Sequence, residues 1–177
     1  HRDLHSFPTR RSSDLEHGSP FYIDPADLAQ ELLPVLKATG CELIFEPGRS
    51  LVGPNGVLLA SVLYTKQTAG KNFIVVDAGM NDLIRPSLYG AHHEILPLQQ
   101  KTAAMETADV VGPICESGDF LAKDRLLPAM KRGERLAVMT AGAYGYVLSS
   151  QYNLRPRAAE VMVQGESWQV VRERESL

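Results

Sequence analysis

The sequence predicts an α/β unit running into a β-rich domain of barrel or sandwich type. Three observations carry this. A capped, leucine-periodic helix leads directly into an apolar run at residues 41–45. After Ser50 the rhythm changes to short apolar stretches of strand length. Glycine and proline punctuate those stretches throughout.

The elements follow in order. Residues 1–15, HRDLHSFPTRRSSDL, show no helical apolar period and no strand alternation. From His5 to Leu15 they resemble the in-frame translation of a DNA-sequencing adapter, so they are expected to be a disordered scar at a point where the gene was cut, and are set aside from fold reasoning. The alternative is a basic, disordered tail. Asp24 then offers an N-cap carboxylate and Pro25 suits the first helical position. Leu28, Leu32 and Leu36 recur at helical spacing, Pro34 predicts a kink, and Gly40 suits the helix end. Residues 41–45 read as a buried strand, which gives the helix–strand rhythm of an α/β barrel or open sheet. Past a boundary near residues 51–56, strands are expected at 57–65, 73–77, 94–98, 107–111, 135–140, 159–163 and 168–172. The last two flank Gln164-Gly165-Glu166-Ser167, a hairpin loop. The expected domains are therefore 16–55, the helix–strand part, and 56–177, the β domain.

Composition excludes several function classes. The chain has 177 residues with 18 Lys+Arg against 21 Asp+Glu, a net charge of −3, which gives no general attraction to nucleic acid or an anionic membrane. Hydrophobic residues make up 44%, enough for a packed core. Two cysteines exclude a disulfide framework and a four-thiolate zinc site. No apolar run approaches the roughly 18 residues of a membrane span. A reducing, cytoplasmic setting is expected. The G-x-S-x-G elbow, the P-loop, G-x-G-x-x-G and H-E-x-x-H are all absent from the sequence.

Four short motifs carry chemistry. Glu46-Pro47-Gly48-Arg49 follows the expected buried strand, at the strand end where α/β-barrel active sites sit. Gly48 allows close backbone approach to a phosphate, Arg49 offers a fork for phosphate or carboxylate, and Glu46 suits a protonated ring nitrogen. The bland alternative is a Pro-Gly turn with a surface Glu–Arg pair. Arg85 and Tyr89 are four apart and would share a helix face as a carboxylate site; otherwise they are an exposed arginine beside a half-buried tyrosine. His92 and His93, adjacent on a strand, would point to opposite faces and make a poor metal pair, so no metal site is expected. Cys115-Glu116-Ser117-Gly118-Asp119 offers a thiol beside a carboxylate that suits an ammonium, although a lone cysteine is more often a small buried hydrophobe. Tyr144, between small residues in Gly142-Ala143-Tyr144-Gly145-Tyr146, would lie against a flat ligand or else fill the core.

Taken together and in this order, FEPGRSLVG, DAGMNDLIRPSLYGAHHEI, GPICESGDFLAKDR and AGAYGYVLSSQYN resemble the C-terminal portion of the diaminopimelate decarboxylase family, from about Asp24 to the last residue. The resemblance implies an alanine-racemase-like fold: an α/β barrel remnant followed by an all-β, Greek-key or β-barrel C-terminal domain, with the N-terminal barrel mostly missing. It implies pyridoxal 5'-phosphate as cofactor, diaminopimelate as substrate, and a homodimer with shared active sites. Glu46 would pair with the pyridine nitrogen. Pro47, Gly48 and Arg49 would line the phosphate and substrate-carboxylate region. Arg85 and Tyr89 would bind the substrate's distal carboxylate, and Glu116 its distal ammonium. Cys115 would sit near the reacting carbon as the catalytic residue, contributed with Glu116 across the dimer interface. Tyr144 would contact cofactor and substrate. None of Lys37, Lys66, Lys71, Lys101, Lys123 and Lys131 matches the family's Schiff-base lysine, so the chain alone is expected to be inactive. Two alternatives stand beside this: a carboxynorspermidine or other basic amino-acid decarboxylase of the same fold, and a non-catalytic β-barrel binding module.

Overall fold

The structure, a computed structural model, describes residues 25–42, 44–99 and 102–176. The proposed scar at 1–15 and the Asp24 cap lie outside the described residues. Helix α1 (Pro25–Lys37) forms where its leucine period and Pro25 place it, and it runs on through Pro34. Gly40, at φ +67°, closes the turn after it, a conformation that costs glycine nothing. None of the residues of α1 is buried.

The described residues of the strand expected at 41–45 do not form one. Residues 41, 42, 44 and 45 are irregular, and Ile44 and Phe45 are 84% and 62% exposed. An apolar run specifies a strand only where a neighbouring strand can take its backbone hydrogen bonds, and none of the described strands pairs with it.

The chain continues through α2 (Gly48–Val52) and a 3-10 turn at Gly53–Asn55. Next come β1 (Leu58–Thr68), β2 (Lys71–Val76), α3 (Arg85–Tyr89), β3 (Ile95–Pro97), β4 (Met105–Val111), β5 (Phe120–Pro128) and β6 (Arg135–Val138). Further 3-10 turns at Tyr146–Leu148 and Tyr152–Leu154 precede β7 (Glu160–Gln164) and β8 (Ser167–Arg172). Six strands form one sheet in the order β3-β6-β1-β2-β4-β5, a nearly closed mixed-sheet barrel. The β2–β4 pair is parallel and the other pairs are antiparallel. The β1–β2 turn closes on Ala69-Gly70, with Gly70 at φ +97°, where a side chain would be strained. Val62, Ile74, Val76, Val110, Leu121, Leu136 and Val138 from five of these strands fill the interior. Each such side chain contributes about 1.5–3 kcal/mol by leaving water.

Strand β5 is the element that apolar patterning misses. Its middle reads Lys123-Asp124-Arg125, and the β4–β5 register shifts there. Asp124 sits at φ +49°, its N–H donates to Asp109 Oδ1 at 2.8 Å, and Lys71 Nζ bridges Asp109 (2.9 Å) and Asp124 (3.3 Å). The charges serve an irregular step in the ladder, so the strand never shows continuous alternation.

Strands β7 and β8 form a separate ribbon, turning at Gly165 (φ +60°) as the hairpin loop predicted. Neither strand has a buried residue. Val161, Val163, Trp168 and Val170 lie on one exposed face, and Met162 and Val171 on the other. Within the ribbon Arg172 bonds Glu160 at 2.6 Å, and it ties the ribbon back by lying 4.6 Å from the centre of the Tyr146 ring.

Candidate functional site

Two regions gather the residues singled out from the sequence. The first joins α2 to the loop after β6. Glu46, Pro47 and Gly48 are exposed and Arg49 is half-buried. Gly142 N–H donates to Gly53 O at 3.0 Å, and Ala141 N–H donates to Gly56 O at 2.8 Å. The backbones are so close that a Cβ on Gly142 would overlap the Val52 carbonyl oxygen, and a Cβ on Gly56 would overlap Gly142. A Cβ on Gly53 would meet Thr140 Cγ2 at 3.4 Å, Arg49 Cγ at 3.6 Å and Ala143 Cβ at 3.8 Å, so Arg49 and the loop that carries Tyr144 border the same point. Tyr144 is held at φ +57° and is 51% exposed, not in the core. A tyrosine in the left-handed region is uncommon, and such strain tends to sit at functional loops.

The second region centres on α3. Its spacing is helical, as expected, yet Arg85 and Tyr89 differ in setting. Tyr89 is 56% exposed, and Arg85 is 3% exposed, which corrects the reading of an exposed arginine. Among its buried neighbours is His93. Arg85 Nη1 lies 3.2 Å from His93 Nε2, and His93 Nδ1 lies 2.9 Å from Met139 O. A carbonyl only accepts, so Nδ1 carries the proton and the Nε2 lone pair accepts from Arg85. Burial holds His93 below its ordinary pKa, so the ring stays neutral beside a cation. His92 is exposed while His93 is buried, so the two do point apart. Among the described residues no cluster of three metal-ligating side chains exists.

The Cys115 loop is anchored on α3 and on the turn before it. Asp119, buried, accepts from Met80 N–H at 2.6 Å through Oδ1 and from Ile114 N–H at 2.5 Å through Oδ2. A Cβ on Gly79 would lie 2.8 Å from Oδ1, and one on Gly112 2.5 Å from Oδ2, so both glycines are needed around this carboxylate. Burial nonetheless pushes the Asp119 pKa up, against the pull of the two N–H donors. Ser87 of α3 donates its hydroxyl to Gly118 O. Cys115 is a free, exposed thiol, not a buried hydrophobe, and Glu116 is exposed beside it.

The segment after β6 returns to this loop. Tyr152 Oη donates to Glu116 Oε1 at 2.5 Å, and Asn153 Nδ2 donates to Cys115 Sγ at 3.5 Å. The carboxylate beside it pushes the Tyr152 phenol up from its ordinary pKa. Neither residue stood out in the sequence. They are separated from their partners by 36 and 38 positions, and no local pattern signals such contacts. The Asp119 contact to Met80 and the His93 contact to Met139, 39 and 46 positions apart, were missed for the same reason.

Residues 22–142 match the family described as pyridoxal-dependent decarboxylase, C-terminal sheet domain. The chain belongs to that family. The six-stranded sheet is this sheet domain, and the described residues contain no α/β barrel. The diaminopimelate decarboxylase of Aquifex aeolicus (strain VF5) is 52% identical over 161 residues, covering 91% of this chain and 38% of that protein. That of Pseudomonas aeruginosa is 57% identical over 135 residues, 76% of this chain and 32% of that protein. The crystal structure of diaminopimelate decarboxylase from Helicobacter pylori complexed with L-lysine matches with a TM-score of 0.79 at 41% identity, covering 93% of this chain and 40% of that one. The chain therefore spans well under half the length of the decarboxylases it matches. No helix among the described residues is long and apolar enough to cross a membrane.

Proposed function

We propose that the chain is the C-terminal part of a diaminopimelate decarboxylase, which converts meso-2,6-diaminopimelate to L-lysine and carbon dioxide. One observation carries this reading: the chain sets an exposed carboxylate, Glu116, beside a free thiol, Cys115, on one loop, and an arginine, Arg85, four positions from an exposed tyrosine, Tyr89, on α3. A substrate whose far end carries an ammonium and a carboxylate together needs both an anion and a guanidinium, which a homodimer with shared sites supplies from two subunits. The solved relative complexed with L-lysine supports the same substrate class.

The cofactor is pyridoxal 5'-phosphate, which supplies the electron sink for loss of a carboxylate. The donor set fits part of it. Glu46 offers a carboxylate to the pyridine nitrogen, Pro47 and Gly48 an open backbone, Arg49 a guanidinium to the phosphate or a substrate carboxylate, and Tyr144 an exposed ring. Arg85 and Tyr89 would take the distal carboxylate. Arg85 would exchange the neutral His93 nitrogen for a charged oxygen, the stronger of the two acceptors. Glu116 would hold the distal ammonium, and Cys115 would stand at the reacting carbon. The assembly is a homodimer in which Cys115 and Glu116 serve the partner's site. Residues 16–55 would end the α/β barrel and 56–177 form the β domain.

The chain alone is inactive in this reading, because the Schiff-base lysine has no counterpart in it. Lys71, for example, is committed to Asp109 and Asp124. The test replaces the corresponding C-terminal part of the Aquifex aeolicus enzyme with this chain and measures lysine formation. The fusion should convert diaminopimelate, and the chain alone should not exceed a blank of free cofactor. A folded, cofactor-loaded fusion that forms no lysine would refute the proposal, and turnover by the chain alone would refute its inactivity.

A further inference from the structure

We infer that Tyr152 and Asn153 are positioning residues: they hold the Glu116 carboxylate and the Cys115 thiol in the attitude from which that loop meets an ammonium-bearing substrate. The inference rests on the proposed function for its substrate, and on the structure for its contacts.

Two consecutive donors grip two consecutive acceptors. Tyr152 Oη reaches Glu116 Oε1 at 2.5 Å, and Asn153 Nδ2 reaches Cys115 Sγ at 3.5 Å. The grip requires an unusual backbone. Asn153 and Leu154 lie at φ +57° and +55°, two adjacent non-glycine residues in the left-handed region. Such a conformation persists only where its surroundings fix it. They do: on one side Ser150 N–H donates to Asn81 O at 2.9 Å, and on the other Arg155 donates to Asp77 O. Both tethers run to the same turn that Asp119 links to the Cys115 loop through Met80.

The chemistry suits a carboxylate that must face one way. An ionised carboxylate has about four acceptor sites, and a phenol donor on Oε1 leaves Oε2 for a cation. Without that donor Glu116, exposed, would sample several rotamers, and a ligand would have to immobilise it. The raised pKa of Tyr152 fits the same contact, since Glu116 keeps the proton on the phenol. Asn153 is among the residue types that best tolerate the left-handed conformation, and its amide is then directed at sulfur.

Two measurements test this. On the full chain, tyrosine ionisation is followed by ultraviolet absorbance. A late-titrating phenol should vanish in Tyr152→Phe and titrate earlier in Glu116→Gln. In the fusion described above, Tyr152→Phe should raise KM for diaminopimelate about ten-fold and leave kcat within about three-fold, the effect of one charge-assisted hydrogen bond used in binding. Asn153→Gly keeps the left-handed backbone and removes the amide, so it should lower kcat more than it raises KM. An unchanged phenol titration in Glu116→Gln overturns the contact. An unchanged KM in Tyr152→Phe overturns the role. A loaded fusion inactive on diaminopimelate overturns the proposed function and the substrate half of this inference, while the titration still decides the contact.

Discussion

Replacing Asp119 by Asn tests the junction on which the candidate site depends. The carboxylate accepts two backbone N–H groups, Met80 at 2.6 Å and Ile114 at 2.5 Å, one on each oxygen. An amide keeps one oxygen and turns an NH2 toward the other N–H. One bond to a charged acceptor is lost, worth about 1.5–3 kcal/mol, and a buried donor is left facing a donor. Burial opposes ionisation of Asp119 in the native chain, which offsets part of this, so the net loss should be about 2 kcal/mol. The neighbours cannot move in to compensate, because Gly79 and Gly112 already sit against both oxygens. With a urea slope of about 2 kcal/mol per molar, the unfolding midpoint should fall by about 1 M at unchanged slope. A midpoint within about 0.25 M of the parent chain would refute the argument that this carboxylate holds the loop.

Two further expectations follow from the same regions. His93 has a folded-state pKa below its ordinary value, so as pH falls the unfolded chain takes up this proton first. Its contribution to stability is therefore complete above about pH 6.5 and is lost as pH drops from there through the folded value. Between pH 7.5 and 5.5 the urea midpoint of the parent should drop more than that of His93→Asn; equal drops would show that the ring does not remain neutral. Gly142→Ala should cost about 2 kcal/mol, since its Cβ meets backbone of Val52, Gly53 and Gly56. Gly118→Ala, whose Cβ would meet nothing nearer than 3.9 Å, should stay within about 0.5 kcal/mol. The two midpoints measured side by side check the close approach, and similar values would count against it.

Much of the fold was legible because its strands are apolar runs bounded by turn residues. The hairpin at Gly165 and the helix at Pro25 follow from local chemistry alone. Residues 41–45 carry the same signal without the outcome, because periodicity describes what a segment would bury and not whether a partner is there. Strand β5 fails in the opposite direction: Lys123-Asp124-Arg125 looks like a loop because the partners of Asp124, Asp109 and Lys71, and those of Arg125, His92 and Glu94, come from elsewhere in the chain. At the candidate site the residue types were legible and their settings were not. Nothing near Arg85 in sequence shows that it is buried or that it meets His93, whose tautomer is set by a carbonyl 46 positions away at Met139. Cys115 and Tyr144 went the other way, out of the interior, because tight backbone contacts at Gly112 and Gly142 define their loops.

The single parallel pairing in the sheet bears on how the chain folds. After β2 the chain crosses to β3 at the far edge beyond β6, then returns to place β4 beside β2. That excursion carries the turn at Gly79–Asp82, α3 and His93. The β1–β2 hairpin can close early, with only a two-residue loop to order, whereas β4 can join β2 only after the whole excursion has been condensed. Formation of the α3 region and completion of the sheet are thus one late, shared step.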